Sequence, residues 1–274
     1  MNYKDLKANG YFGIDFYLTK SCNKSCHYCT AWTLEMRNLE VDMDFLSKTL
    51  KYLSRYKAKI NLLGGEPGLV KNLDEVIAEI KKYPTLIPSV LSNSFVRKRY
   101  PHILEDPSIY YVEHLVLDFH EDRIEKLGNY DFLEQNDNNN YNVIIQTPNY
   151  FKFRENYDLS HIDHDNTMFK KFNARSPFYD VDMQASEITR KLCAKYPSVP
   201  VIDFEMQKIR HCSKKVINGS KTFDVTKKNI EKMMNFDLFQ YEEYCKICTE
   251  QLSEQGEHTL DNLIVALNDR TLGF

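Results

Sequence analysis

Three cysteines stand close together near the amino terminus, in the run Ser21-Cys22-Asn23-Lys24-Ser25-Cys26-His27-Tyr28-Cys29-Thr30. Their spacing of four and then three residues would place them on one face of a helix. The intervening Ser, Asn and Thr compete with helix formation, so a loop is the better reading. Structural zinc takes four protein ligands, and only three cysteines are local. His27 would be a strained fourth ligand, lying directly between two others. Three thiolates suit a four-iron cluster that leaves one iron open. Such an iron can chelate the amino and carboxylate groups of a methionine moiety and deliver one electron to its sulfonium.

Cys193, Cys212, Cys245 and Cys248 account for every other cysteine in the chain. Cys245-Lys246-Ile247-Cys248 has the spacing of a metal knuckle, and the two distant cysteines complete a set of four. Four buried thiols would be the structural alternative. A four-cysteine zinc site uses similar pairs, so zinc stays open beside a second, auxiliary four-iron cluster. If all four thiols ligate one cluster, none remains to return hydrogen to a substrate radical. A net oxidation is then expected rather than a cysteine-dependent epimerisation.

Composition narrows the setting. The chain has 274 residues, 42% of them hydrophobic, which suits one large domain with a small addition. No run approaches the roughly 18 apolar residues of a membrane span. Met1 to Gly10 carries charges of both signs and does not read as a signal peptide. A cytoplasmic setting is therefore expected, where cysteines serve metals or catalysis more than disulfides. Seven cysteines cannot all pair with one another. The net charge of −3 gives no general attraction to nucleic acid or to an anionic membrane.

The elements that position the first cysteine loop alternate along the chain. Tyr11–Thr19 reads as a strand, and Asp42–Tyr56 as an amphipathic helix capped by Asp42, with Leu46, Leu50 and Leu53 on one face. Ala58–Leu63 is the next strand, ending abruptly at Gly64-Gly65-Glu66-Pro67. Asn72 and Glu75 resemble a capping box ahead of the stripe Leu73, Val76, Ile77 and Ile80. Later strands are expected at Ile87–Leu91, Tyr111–Leu117, Tyr141–Gln146 and Thr167–Phe172, with helices at Asp122–Leu133 and Tyr150–Leu159. Six strand–helix units predict an α/β fold with a parallel sheet, whose active residues gather at the carboxyl ends of the strands. Beyond about Asp180 the alternation lapses. A short strand (Val199–Glu205) and two helices (Thr226–Phe236, Leu260–Leu267) are expected there. The division is thus 1–180 and 181–274.

The CxxxCxxC loop after the first strand, Tyr28 before its last cysteine, and GGEP after the second strand together resemble the radical S-adenosylmethionine (SAM) superfamily, over approximately residues 11–175. The resemblance implies a partial (β/α)6 TIM-like barrel, a SAM-binding [4Fe-4S] cluster on Cys22, Cys26 and Cys29, and reductive cleavage of SAM to a 5′-deoxyadenosyl radical. It implies that Gly64, Gly65 and Glu66 meet the methionine amino group, largely through backbone carbonyls, with the glycines allowing close approach and positive φ. On that basis Gly65→Val should weaken SAM binding and spare iron content. Tyr28 is expected near the adenine, and Asn93 and Asp118, after the third strand and at the end of the fourth, near the ribose or carboxylate. Ser92, His120, Arg123 and Arg175 are further polar groups in this region. The stretch from Cys193 to Cys212 resembles the start of the twitch and SPASM auxiliary-cluster appendages. The implied substrate is a peptide, with a carbohydrate or nucleotide as the alternative. The implied reductant is a flavodoxin or ferredoxin. A separate leader-binding domain is not expected ahead of a first strand that starts near residue 11. A non-catalytic, metal-stabilised binding module is the reading from another class. It lacks the basic cluster that nucleic acid would require.

Overall fold

The computed structural model describes residues 9–24, 40–116, 141–147, 167–171, 200–210, 222–235 and 238. Its framework is a single nine-stranded sheet in the order β6-β5-β4-β3-β2-β1-β7-β8-β9. The strands are β1 (Phe12–Thr19), β2 (Ala58–Gly64), β3 (Leu86–Ser92), β4 (Tyr110–Val116), β5 (Tyr141–Thr147), β6 (Thr167–Lys171), β7 (Val201–Asp203), β8 (Lys208–Arg210) and β9 (Phe223–Asp224). The first six run parallel in sequence order, as the strand–helix alternation predicts. No ladder joins β6 to β9 among the described residues, so the sheet is an unclosed barrel wall.

Five helices are described: α1 (Met43–Leu53), α2 (Leu73–Lys81), α3 (Phe95–Arg99), α4 (His102–Glu105) and α5 (Lys227–Met234). Asp42 caps α1 as expected, its Oδ1 accepting from the N–H groups of Asp44 and Phe45 at 3.0 Å each. Leu46, Leu50 and Leu53 are fully buried in the core that α1 and α2 form against Ile14, Phe16, Leu18, Ile60 and Leu62. The capping box at Asn72 does not form. Its side-chain amide bonds Val41 in both directions instead, donating to the carbonyl and accepting from the N–H at 2.9 Å each. Pinning the chain ahead of α1 thus wins over capping α2. The helices expected at Asp122–Leu133, Tyr150–Leu159 and Leu260–Leu267 lie outside the described residues.

Strand β7 departs most from the sequence-based picture. It pairs in parallel with β1, setting Asp15, Phe16 and Tyr17 beside Val201, Ile202 and Asp203. It then turns into β8 and β9, which run antiparallel. The described strands beyond residue 180 therefore continue the main sheet. Helix α5, capped by the Thr226 hydroxyl, also buries Ile230 and Met233 in the same core.

Alternation sends Ile14, Phe16 and Leu18 to the helices, and Asp15, Tyr17 and Thr19 to the opposite face. That opposite face is polar. Asp15, Asn61 and Ser89 lie in register on neighbouring strands, all buried, and Asn61 donates to Asp15 at 2.9 Å. Burial pushes Asp15 up to about 7, against the pull of the Asn61 bond and the Lys59 charge. Burial likewise lowers Lys59 to about 8.

These shifts set a pH signature. The folded chain holds the Asp15 proton more tightly than the unfolded chain does, so this group's contribution to stability falls between pH 3.8 and about 7. Lys59 binds its proton less tightly when folded, so its contribution rises between about 8 and 10.5. Asp15→Asn should remove the lower limb of this trough. Urea unfolding of the metal-free chain at pH 5 and pH 7.5 measures it; an unchanged difference between the two pH values would contradict the assignment.

Candidate functional site

At their carboxyl ends β1 and β2 approach each other through bare backbone. The N–H of Gly65 donates to the Thr19 carbonyl at 2.7 Å, and that of Glu66 to the Ser21 carbonyl at 2.8 Å. A Cβ on Gly64 would lie 2.3 Å from the Thr19 oxygen, and one on Gly65 2.1 Å from the Ser21 oxygen. Gly64 also has φ +148, a conformation that favours glycine. The two glycines thus make room for the main chain that leads into Cys22. Backbone-to-backbone approach thus requires glycine here, whether or not a ligand also approaches. Of the two, only Gly64 has positive φ, which corrects the expectation of positive φ at both.

Glu66 turns its side chain inward and is fully buried. Its carboxylate receives three hydrogen bonds: from the Gly68 N–H at 2.9 Å, the Ser92 hydroxyl at 2.8 Å and the Asn93 N–H at 2.8 Å. Burial raises its pKa and these bonds oppose the rise. The Glu66 carbonyl accepts from Leu69 N–H within the 3-10 turn Pro67–Leu69. Glu66 therefore acts as a tie between the ends of β2 and β3.

The tie positions Asn93. The next residue, Ser94, is held at φ +77, a sparsely populated conformation for a residue with a side chain. The Asn93 amide nitrogen reaches the Cys22 sulfur at 3.5 Å and the Asn23 side-chain oxygen at 2.9 Å. Lys24 N–H adds a second approach to the Cys22 sulfur at 3.4 Å. Two N–H donors aimed at one sulfur favour its thiolate, the form that ligates metal. The Asn93 side-chain oxygen, Oδ1, is buried and has no hydrogen-bond partner among the described residues. A half-buried thiol and an orphaned acceptor at a strand-end mouth fit a sulfur-ligated cluster with a polar ligand beside it.

The structure thus brings together Cys22, Gly64, Gly65, Glu66, Ser92 and Asn93. Cys26, Cys29, Tyr28, Asp118, His120, Arg123, Arg175, Cys193, Cys212, Cys245 and Cys248 lie outside the described residues. No group of three His, Cys, Asp or Glu side chains suited to one metal occurs among the described residues, which include only the first of the three loop cysteines. Two contributors were not singled out from sequence. Thr19 uses its hydroxyl to accept from Ser21 N–H at 3.0 Å. Glu205 contacts the loop from a distant segment, and no local pattern marks it.

Among the described residues the parallel α/β sheet is unclosed and carries a cysteine and a glycine-lined turn at its carboxyl edge. The family model of the radical SAM superfamily matches residues 16–164, more than half of the chain, and the protein belongs to that superfamily. It is an enzyme of that class. Over 125 residues it is 32% identical to GTP 3′,8-cyclase of Helicobacter pylori (strain J99 / ATCC 700824), covering 43% of this chain and 38% of that protein. Over 70 residues it is 34% identical to GTP 3′,8-cyclase of Stenotrophomonas maltophilia (strain R551-3), covering 24% and 22%. The matches thus span well under half the length of these relatives. The fold resembles native anSMEcpe with bound AdoMet and Cp18Cys peptide, with a TM-score of 0.57 at 11% identity, covering 94% of this chain and 99% of that one. It also resembles Streptococcus suis SuiB bound to S-adenosylmethionine, with a TM-score of 0.52 at 12% identity, covering 94% and 72%. No helix among the described residues is long and apolar enough to cross a membrane.

Two substitutions probe the strand-end geometry. Gly65→Ala should lower bound iron as well as SAM affinity, because its Cβ would collide with the Ser21 carbonyl rather than with a ligand. Iron and sulfide analysis beside a SAM titration checks this; full iron with weakened SAM would restore the ligand-approach explanation. Glu66→Gln turns an amide NH2 toward one of three donors and should cost about 1–3 kcal/mol of stability. Urea unfolding of the metal-free chain measures that loss.

Proposed function

We propose that Cys22, Cys26 and Cys29 hold a [4Fe-4S] cluster and that the enzyme oxidatively modifies a peptide. When bound, the cluster supplies one electron to SAM, giving methionine and a 5′-deoxyadenosyl radical that takes hydrogen from the substrate. The observation that carries this reading is the Cys22 sulfur, met by two N–H donors beside a buried, unpartnered acceptor. The chain's own contribution is placement. The Thr19–Ser21 backbone sets the root of the loop, the Glu66 tie fixes Asn93, and Asn93 offers its oxygen to a donor on SAM. The carbonyls of Gly64 and Gly65 are the groups assigned to the methionine ammonium. Tyr28 is assigned to the adenine and Asp118 to the ribose or carboxylate.

A peptide substrate is supported by the likeness to anSMEcpe, which spans nearly all of both chains. The GTP 3′,8-cyclase relatives favour a nucleotide as the second reading. Cys193, Cys212, Cys245 and Cys248 are assigned to an auxiliary [4Fe-4S] cluster in a twitch-like region, with zinc as the alternative metal. A flavodoxin or ferredoxin is the proposed reductant. The setting these assignments suit is the cytoplasm.

Anaerobic incubation of the reduced, reconstituted chain with SAM should release 5′-deoxyadenosine. The Cys22→Ala, Cys26→Ala, Cys29→Ala triple variant should release none and keep its auxiliary metal. Continued release by the triple variant would remove the cluster from this loop. Deuterium from a labelled peptide appearing in 5′-deoxyadenosine supports the peptide reading; deuterium from labelled GTP supports the nucleotide one. Asn93→Leu deletes one N–H donor to sulfur and should move the cluster's midpoint potential negative. Redox titration by electron paramagnetic resonance reads the shift, and an unmoved potential would end that role for Asn93.

A further inference from the structure

The cysteine loop is gripped from both sides, and the second grip comes from beyond the residues that the family model matches. The turn between β7 and β8 lies against the carboxyl end of β1, where Phe204 N–H donates to the Tyr17 carbonyl at 3.0 Å. Glu205, at the head of that turn, accepts from Lys20 N–H at 2.6 Å. The same carboxylate oxygen lies 3.4 Å from the Thr19 hydroxyl, which donates to it. The Lys20 ammonium stands 3.7 Å from its other oxygen. On the opposite side, Thr19 and Ser21 are held through their carbonyls by Gly65 and Glu66. Three consecutive residues ahead of Cys22 are therefore fastened alternately to the turn after β2 and to a segment some 185 residues away.

The turn does not depend on this contact for its shape. Phe204 packs between Phe16 and Phe45, with ring centroids 5.0 and 5.2 Å apart. Asp203 accepts from Met206 N–H at 2.8 Å and pairs with buried Arg210 at 2.7 Å. Gln207, at φ +53, donates to Asp42 at 3.0 Å, a contact separate from that of Glu205 with Lys20. A carboxylate presented by so well-braced a turn has a defined position, and it lands on a backbone N–H.

We infer that Glu205 is a positioning residue for the cysteine loop, setting the path of the chain into Cys22 and so the geometry in which SAM is bound. This rests on the assignment of Cys22 as a cluster ligand. It also makes the β7–β8 hairpin part of the SAM site, although the hairpin contributes no ligand.

The test uses the full chain and three variants: Glu205→Ala, Glu205→Gln and Gln207→Ala. In the metal-free protein, amide hydrogen exchange at Lys20 should speed up at least tenfold in Glu205→Ala, remain near wild type in Glu205→Gln, and be unchanged in Gln207→Ala. In the reconstituted protein, SAM affinity, followed by the SAM-dependent change in the paramagnetic resonance of the reduced cluster, should fall roughly tenfold in Glu205→Ala. That is about the size of one charge-assisted hydrogen bond. Glu205→Gln retains a carbonyl acceptor and should recover most of the affinity. Unchanged exchange and affinity in Glu205→Ala would overturn the inference. So would an equal loss in Gln207→Ala, which would reduce the effect to general loosening of the turn. A wild-type chain that protects Lys20 but shows no cluster signal from Cys22, Cys26 and Cys29 would instead refute the ligand assignment.

Discussion

The site depends on two backbones meeting without side chains between them. At Gly64 and Gly65, β2 comes so close to the Thr19–Ser21 segment that a single Cβ would fall about 2 Å from a carbonyl oxygen. Contact at that distance is possible only for glycine. It extends the β1–β2 ladder past the ends of the strands and carries its order into the cysteine loop. Under the proposed assignment of three loop sulfurs to one cluster, ordering the loop costs about 1–2 kcal/mol per residue fixed. Fastening its root in advance reduces what the metal itself must supply.

Two carboxylates complete the fastening, and both act as acceptors of N–H groups. Glu66 is fully buried and takes three donors, which join the turn after β2 to the end of β3. Glu205 is partly exposed and takes the Lys20 N–H from the other flank. An ionised carboxylate accepts at both oxygens and donates at neither, so it suits a place where several backbone N–H groups converge. Burial of such a group is costly unless its bonds are complete. That cost makes the arrangement specific.

The sheet face opposite the helices is unusual for an interior surface. Asp15, Asn61 and Ser89 lie across three strands, with Lys59 nearby, and Asp203 with Arg210 extends the polar character onto the β7–β8 hairpin. Buried ion pairs contribute little net stability, because desolvation offsets their attraction. A hydrophobic face would hold the sheet together at least as well. The polar lining is consistent with a barrel interior that serves ligands rather than packing, beneath a mouth where Cys22 and Asn93 stand.

Much of this fold was legible from local chemistry. The six parallel strands follow from runs of β-branched and aromatic residues, and each lies within a residue or two of its expected bounds. Asp42 caps its helix because an N-cap acts over two or three residues. The cysteine run and the GGEP turn were singled out together, and the chain leading into Cys22 does meet Gly65 and Glu66. Tertiary structure decided what depends on partners far away in sequence. Asn72 looked like a cap but bonds Val41, and Gly65 makes room for the Ser21 carbonyl. β7 joins the sheet beside β1, and Glu205 reaches Lys20 from 185 residues away. Periodicity and capping are properties of a few adjacent residues, so the sequence alone determined the six parallel strands and the first helix. Which backbone fills the space beside a glycine, and which N–H a carboxylate meets, is settled only when the sheet assembles and brings those distant groups within hydrogen-bonding distance.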